Sequence, residues 1–296
     1  MSRGAKNLLG VGIILAVIAF YFYVCNINPN VDKNDPYYTN SLYLSKQTIY
    51  NDNLNEGEKA FYDVMLKNML ERNEKVTISW KDIKCENNYV SCASNIRKGF
   101  DALIIDHPEI LGASGYSYRV DKVEQTIQLN ISYATAFKLV DYFGEATINV
   151  VLAKIKEETE GMSDAEKIVY VYNWIGDRAT YDYTFKIFDK NQSAYNAIIK
   201  RNAVCAGFAK TANLIFQYIG IESYGIIGHS HMWNIVKLDG KYYFFDSTTA
   251  ACLKYGSKNY YDGLKQTKMN DYGIDNKEWY EKFHIETTDM PLQLVG

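Results

Sequence analysis

H-M-W-N-I-V-K-L-D-G-K-Y-Y-F-F-D-S-T, residues 231–248, reads as two strands, His231 to Leu238 and Tyr242 to Asp246, joined by a tight turn. Asp239-Gly240 supplies the positive-φ residues that a two-residue hairpin loop requires. An even loop centred there makes the numbers of facing residues sum to 479, so His231 faces Thr248 and Trp233 faces Asp246. His231 and Asp246 then share one sheet face as diagonal neighbours, about 7–8 Å apart at the backbone. A slip of one residue would put them on opposite faces. His229 lies on the same face, two residues further from the turn, and competes with His231 as a base. Its plainer reading is a polar residue at a strand's start. Trp233 would shield the acid from water, although an ordinary core Trp would look the same.

Upstream, a helix is expected to open at or near Cys205, with Phe208, Ala212, Ile215 and Ile219 as its apolar stripe and Gly220 closing it. A thiol at a helix N-terminus meets unpaired N–H groups and the positive end of the macrodipole, both of which favour a thiolate. Ala206 and Gly207 are small and leave the sulfur accessible, with backbone N–H groups free to face an oxyanion. A lone Cys opening an apolar helix is more often an inert core residue. The hairpin shifts that balance, because it supplies an imidazole and a carboxylate on one face. A helix before it starts with a capping box, Ser163 and Glu166, and carries Ile168, Val171, Tyr172 and Ile175 on one side.

These segments carry a family resemblance. Ala203-Val204-Cys205-Ala206-Gly207-Phe208-Ala209-Lys210 resembles the nucleophile segment of the transglutaminase-like superfamily, in the branch common among bacterial surface and secreted proteins. His231-Met232-Trp233-Asn234 is similar to its H-x-W-N strand, and Phe245-Asp246-Ser247-Thr248 to its D-x-T segment. Tyr181-Asp182-Tyr183 and Ser193-Ala194-Tyr195 sit where the family often has related motifs. The likeness is specific over residues 163–249 and looser elsewhere. The chain departs from it at Ala203, where many relatives carry Gly. The resemblance implies a papain-like α+β core with Cys205, His231 and Asp246 as a catalytic triad. The reaction it implies is acyl transfer on peptide amides through a thioester, without a cofactor. Water as acceptor makes a peptidase or amidase, the outcome bacterial members resemble; a lysine amine makes a cross-linking transglutaminase. A surface binding module that keeps the fold without turnover is the reading from another class.

Working outward, residues 56–160 form an N-terminal α+β region. Apolar residues at Phe61, Met65, Leu66, Met69 and Leu70 predict a helix; V-T-I-S-W at 76–80 and I-Q-L-N-I at 127–131 alternate as strands; Pro108 marks a break. Residues 26–55 are polar, with Pro29 and Pro36, and read as a stalk. Leu8 to Cys25 is an 18-residue run without a charge, nearly long enough as a helix to cross a hydrocarbon core of about 30 Å. Arg3 and Lys6 before it, against Asp32 and Asp35 after it, predict a cytoplasmic N-terminus with the rest outside, a single-pass anchor at the cell membrane. Tyr21, Phe22, Tyr23 and Val24 replace the small residues of a signal-peptidase site. The core and a C-terminal tail then span residues 161–296, and the expected partner is a peptide or protein substrate, cell-wall components among the candidates.

The whole composition agrees with a globular domain: 47% hydrophobic, 23% charged, net charge −3. No basic block follows the first residues, which excludes the electrostatic footprint of a nucleic-acid binder. The five cysteines form no C-x-x-C, which argues against a disulfide oxidoreductase or a zinc site, and the four histidines make no metal motif. Cys85 and Cys92 are seven apart and either pair, if the domain is exported, or remain two thiols.

Overall fold

The computed structural model describes residues 49–85, 88–110, 113–133, 138–184, 191–228, 231–256 and 287–288. The expected membrane helix at residues 8–25 and most of the stalk lie outside them. Among the described residues no helix is long and apolar enough to cross a membrane.

The N-terminal unit holds α1 (Ile49–Asp52), α2 (Glu56–Leu70), β1 (Lys75–Ser79), α3 (Tyr89–Asp106), β2 (Ala113–Asp121) and β3 (Thr126–Tyr133). Its strands form an antiparallel sheet in the order β1-β3-β2. Asn55 caps α2: its side-chain oxygen accepts the Gly57 and Glu58 amides at 2.9 Å, and Glu58 accepts the Asn55 amide at 3.0 Å. Phe61, Met65, Leu66 and Met69 are buried, so the helical spacing points where the sequence predicts. Helix α3 ends at His107, because the residue before Pro108 is pushed out of the helical region. A disulfide joins Cys85 to Cys92, so of the two states left open by the sequence the paired one is observed.

The polar stretch becomes structured before residue 55. Tyr50 is buried and donates its hydroxyl to the Gly225 carbonyl at 2.7 Å. The Tyr50 and Asn51 amides donate to the two carboxylate oxygens of Asp106 at 3.2 and 2.9 Å. A buried acid at the end of α3 thus fixes the start of the unit.

The second unit runs through α4 (Lys138–Glu158), α5 (Asp164–Arg178), β4 (Thr180–Tyr181), a π-helical turn (Asn196–Lys200), β5 (Asn202–Ala203), α6 (Cys205–Tyr218), β6 (Ser223–Gly228), β7 (His231–Leu238), β8 (Lys241–Phe245), α7 (Ser247–Gly256) and β9 (Thr287–Thr288). Strands β6, β7 and β8 are antiparallel neighbours, β9 joins β8 in parallel, and β4 pairs with β5. The capping box of α5 forms between Ser163 and Glu166. In the hairpin Asn234 faces Phe245 and Leu238 faces Lys241, the register that sums to 479. Asp239 and Gly240 take φ of 50° and 78°, the left-handed pair that matches the strand twist.

Strand β8 ends at Phe245, one residue earlier than the alternation suggests. Asp246 leaves the ladder to cap α7, and Thr248, expected opposite His231, lies in that helix. The sheet is covered on both faces. Trp233, Ile235 and Phe244 join the core of the N-terminal unit, whereas Val236, Leu238 and Phe245 join that of α4, α5 and α6. At about 1.5–3 kcal/mol for each large side chain buried, two such faces hold the strand rigidly. This is a mixed α+β fold, with an α/β unit preceding a helix-on-sheet core.

Candidate active site

Cys205 is the first residue of α6. Val204 is the N-cap and makes no side-chain capping bond, so the helix opens with its first amides uncapped by a side chain. The segment before it is anchored on both sides. Asp182 donates its amide to the Ala203 carbonyl at 2.9 Å, and Val204 donates to the Asn191 carbonyl at 3.2 Å. Asn191 in turn donates its side-chain amide to the buried Asp182 carboxylate at 2.7 Å. Gly207 is required by close approach: a Cβ there would stand 2.7 Å from the Ala203 Cβ and 3.1 Å from the Ser193 carbonyl. Ala203, the departure from the family pattern, is fully buried and occupies the space that Gly207 leaves.

His231 opens β7, and its Nε2 lies 2.9 Å from Asp246 Oδ2. A carboxylate only accepts, so Nε2 carries the hydrogen and Nδ1 is the ring nitrogen left for the Cys205 side chain, which is near enough to raise the ring's affinity for a proton. His231 stacks near Trp233, ring centroids 5.8 Å apart at 15°, and Trp233 and Asp246 are buried. The imidazole side chain is 15% exposed, and Cys205 is half-buried with a free thiol.

Burial alone would pull the imidazolium of His231 down. The hydrogen bonds to Asp246 and Cys205, and the negative charges of both partners, win and raise its pKa to about 9. At neutral pH the ring thus favours its protonated form.

Asp246 divides its two oxygens. Oδ2 accepts from His231, while Oδ1 accepts the Thr248 amide at 2.9 Å as the cap of α7. Thr249 donates its hydroxyl to the Asp246 carbonyl at 2.6 Å, and Tyr172 of α5 bonds that hydroxyl at 2.8 Å. Neither Thr249 nor Tyr172 was singled out by sequence for this task. The D-S-T segment carried a usable signal, since Asp is among the favoured N-caps. His229, the competing base, lies outside the described residues. Among the described residues no group of His, Cys, Asp and Glu could hold a metal ion.

Residues 153–247 match the family model of the transglutaminase-like superfamily, a span that contains Cys205, His231 and Asp246. Among solved structures, the chain is similar to a candidate cysteine protease from Cytophaga hutchinsonii, at 13% identity and a TM-score of 0.30, over 45% of this chain and 61% of that one. It is also similar to a TGase at 19% identity and a TM-score of 0.30, over 47% of this chain and 44% of the other. The chain thus spans less than two thirds of either structure. No curated protein matches it.

Proposed function

We propose that this chain, which carries a transglutaminase-like core over residues 153–247, is a thiol enzyme that transfers acyl groups from peptide amides through a thioester, with water as the usual acceptor. The observation that carries the reading is the His231–Asp246 hydrogen bond at 2.9 Å beside Cys205, the first residue of a helix without a side-chain cap. Cys205 gives its proton to Nδ1 of His231 and attacks the amide carbonyl. The developing oxyanion faces the first amides of α6, where an anion is favoured. His231 then passes its proton to the departing amine, and Asp246 keeps Nε2 protonated so that the correct nitrogen faces the sulfur. Water, activated by the same imidazole, releases the acid. With a lysine amine as acceptor the same intermediate would yield an isopeptide.

The proposed setting is extracytoplasmic, with the chain anchored through residues 8–25 and acting on a peptide or protein at the cell surface. The Cys85–Cys92 disulfide supports it, since such bonds persist in oxidising compartments. Two experiments test the reading. Iodoacetamide near pH 6 should alkylate Cys205 far faster than a free cysteine; labelling at an ordinary thiol rate would favour a binding module. Incubation with pooled peptides and amines, read by mass, should release Cys205-dependent fragments. Isopeptide products instead would move the assignment to cross-linking.

A further inference from the structure

Tyr183 is a large side chain left in solvent, 62% exposed, and its backbone runs beside the segment that leads into Cys205. Strands β4 and β5 are parallel, with Thr180 opposite Asn202 and Tyr181 opposite Ala203. The pairing continues through the Asp182 amide, which donates to the Ala203 carbonyl at 2.9 Å, and then stops, because the Thr184 amide turns to the Asp182 carboxylate. Tyr183 is the next residue on one side, and Cys205 lies two beyond Ala203 on the other. With strands about 4.8 Å apart and a rise of about 3.3 Å per residue, the two backbones come within about 10 Å. A bound peptide advances about 3.3–3.6 Å per residue, so Tyr183 can meet a side chain within about three residues of the bond presented to Cys205.

The chain on either side of Tyr183 is tied inward. The buried Asp182 carboxylate accepts the Thr184 amide at 2.9 Å, the Thr184 hydroxyl at 2.7 Å and the Asn191 side-chain amide at 2.7 Å. The side chain between residues 182 and 184 is left facing out. Its ring meets that of Tyr181, centroids 5.0 Å apart at 57°. Tyr181 in turn stacks on Phe208 at 6.2 Å and 18°, and Phe208 is fully buried near the start of α6. The three rings run from the core to the surface, rooted in the helix that Cys205 begins. A single exposed aromatic needs no explanation. One braced on the core beside the nucleophile does. Among the described residues the other large apolar side chains left this exposed, Tyr89, Val90 and Val123, belong to the N-terminal unit.

Resting on the reading of Cys205 as nucleophile, we propose that Tyr183, backed by Tyr181, determines specificity: the two rings receive an aromatic or large aliphatic side chain of the substrate peptide, close to the scissile amide. Rings inclined at 57° make a corner that suits a side chain entering edge-on, whereas the flat face of a sugar packs on one level ring. The adjacent Asp182 carboxylate is turned inward to its donors, so the corner selects by apolar contact rather than by charge.

Alkylation of Cys205 in the full chain tests this with iodoacetyl tripeptide amides: triglycine, and its variants with one phenylalanine at the first, second or third position. Each rate is taken relative to that of free cysteine with the same probe. One phenylalanine probe should outpace triglycine several-fold in the wild type; Tyr183→Phe should keep that ratio and Tyr183→Ala should bring it close to one. In the peptide pool, cleavage should favour aromatic and large aliphatic residues at the same position, and Tyr183→Ala should erase that preference. The rate against free cysteine reports the thiolate, whereas the ratio between probes reports Tyr183, so an ordinary thiol and a missing corner are told apart. Equal ratios for all probes in the wild type, or a phenylalanine preference kept in Tyr183→Ala, overturns the proposal. A probe with a sugar in place of the phenylalanine ring that reacts faster also overturns it. If Tyr183→Ala does not fold, Tyr183→Gln takes its place and must lose the preference.

Discussion

Replacing Asp246 by Asn tests the site most severely, because the two side chains have the same shape and differ in what they can accept. Asp246 receives two N–H groups, one on each oxygen: His231 Nε2 at 2.9 Å and the Thr248 amide at 2.9 Å. Asparagine offers one acceptor oxygen and one NH₂, so one donor must face another donor unless the imidazole changes tautomer. If the oxygen stays with Thr248, the proton moves to Nδ1 and the nitrogen facing Cys205 can no longer accept one. If it stays with His231, α7 loses its cap, worth about 1 kcal/mol. The charge is lost either way. The rise of His231 from 6.5 to about 9 corresponds to about 3 kcal/mol, shared between Asp246 and Cys205, and little of it is screened at 15% exposure. Turnover should fall by about 10²–10⁴, as in triads whose orienting acid is neutralised. His231 should titrate well below 9, read by NMR of the ring, and the pH profile of Cys205 alkylation should shift with it. Stability follows the same sign. A histidine whose folded pKa lies above its unfolded one stabilises fully below about 6.5, and that contribution is lost as pH rises through about 9. Urea unfolding at pH 6 and 9.5 should show the wild type losing more than the variant. A variant histidine still titrating near 9, with unchanged alkylation, would refute the assigned role of Asp246.

Cys205→Ala should abolish peptide turnover while the chain still unfolds cooperatively in urea, its midpoint lowered only by the thiol's share of the His231 stabilisation. Gly207→Ala should cost about 1–3 kcal/mol and slow Cys205 alkylation, because the new methyl meets Ala203 and the Ser193 carbonyl; thermal unfolding and labelling on one sample separate the two effects. Reducing Cys85–Cys92, or replacing both by Ala, should destabilise the chain by about 2–3 kcal/mol through the short loop that it closes, read as a drop in the urea midpoint. Burial raises the Asp106 carboxyl to about 7 despite the amides that it accepts, so its contribution is present below the ordinary carboxylate range and is lost as pH rises through 7; Asp106→Asn should flatten the pH dependence of stability between pH 4 and 8.

The hairpin and the helix around the site were legible because their rules are local. Asp239-Gly240 set a turn, the turn set a register, and the register put His231 and Asp246 on one face before any long-range contact was known. The capping box before α5 and the apolar stripe of α2 worked in the same way. What stayed hidden depends on partners far away in sequence. Strand β6 was not read, although its residues Ser223 to Gly228 pair along β7. The Tyr50 anchor needs Asp106 and Gly225, which are 56 and 175 residues away.

The least predictable feature of the site is also the one that completes it. A carboxylate at the last position of a strand would be carried by that strand alone, free to swing. Ending β8 at Phe245 and starting α7 at Ser247 makes residue 246 a junction, where the cap bond fixes one oxygen and thereby aims the other. Alternation reads D-S-T as the end of a strand, and capping preference reads it as the start of a helix; neither rule alone chooses. Packing chooses, because α7 must lie against α5, where Ala250 meets Gly176 so closely that a Cβ on the glycine would be 2.8 Å from the alanine's. Tyr172 of the same α5 then reaches Thr249, whose hydroxyl holds the Asp246 carbonyl. The orientation of the acid is therefore a product of helix packing on the far side of the sheet. Tyr172, distant in sequence from Asp246, thereby helps to fix the carboxylate that His231 meets.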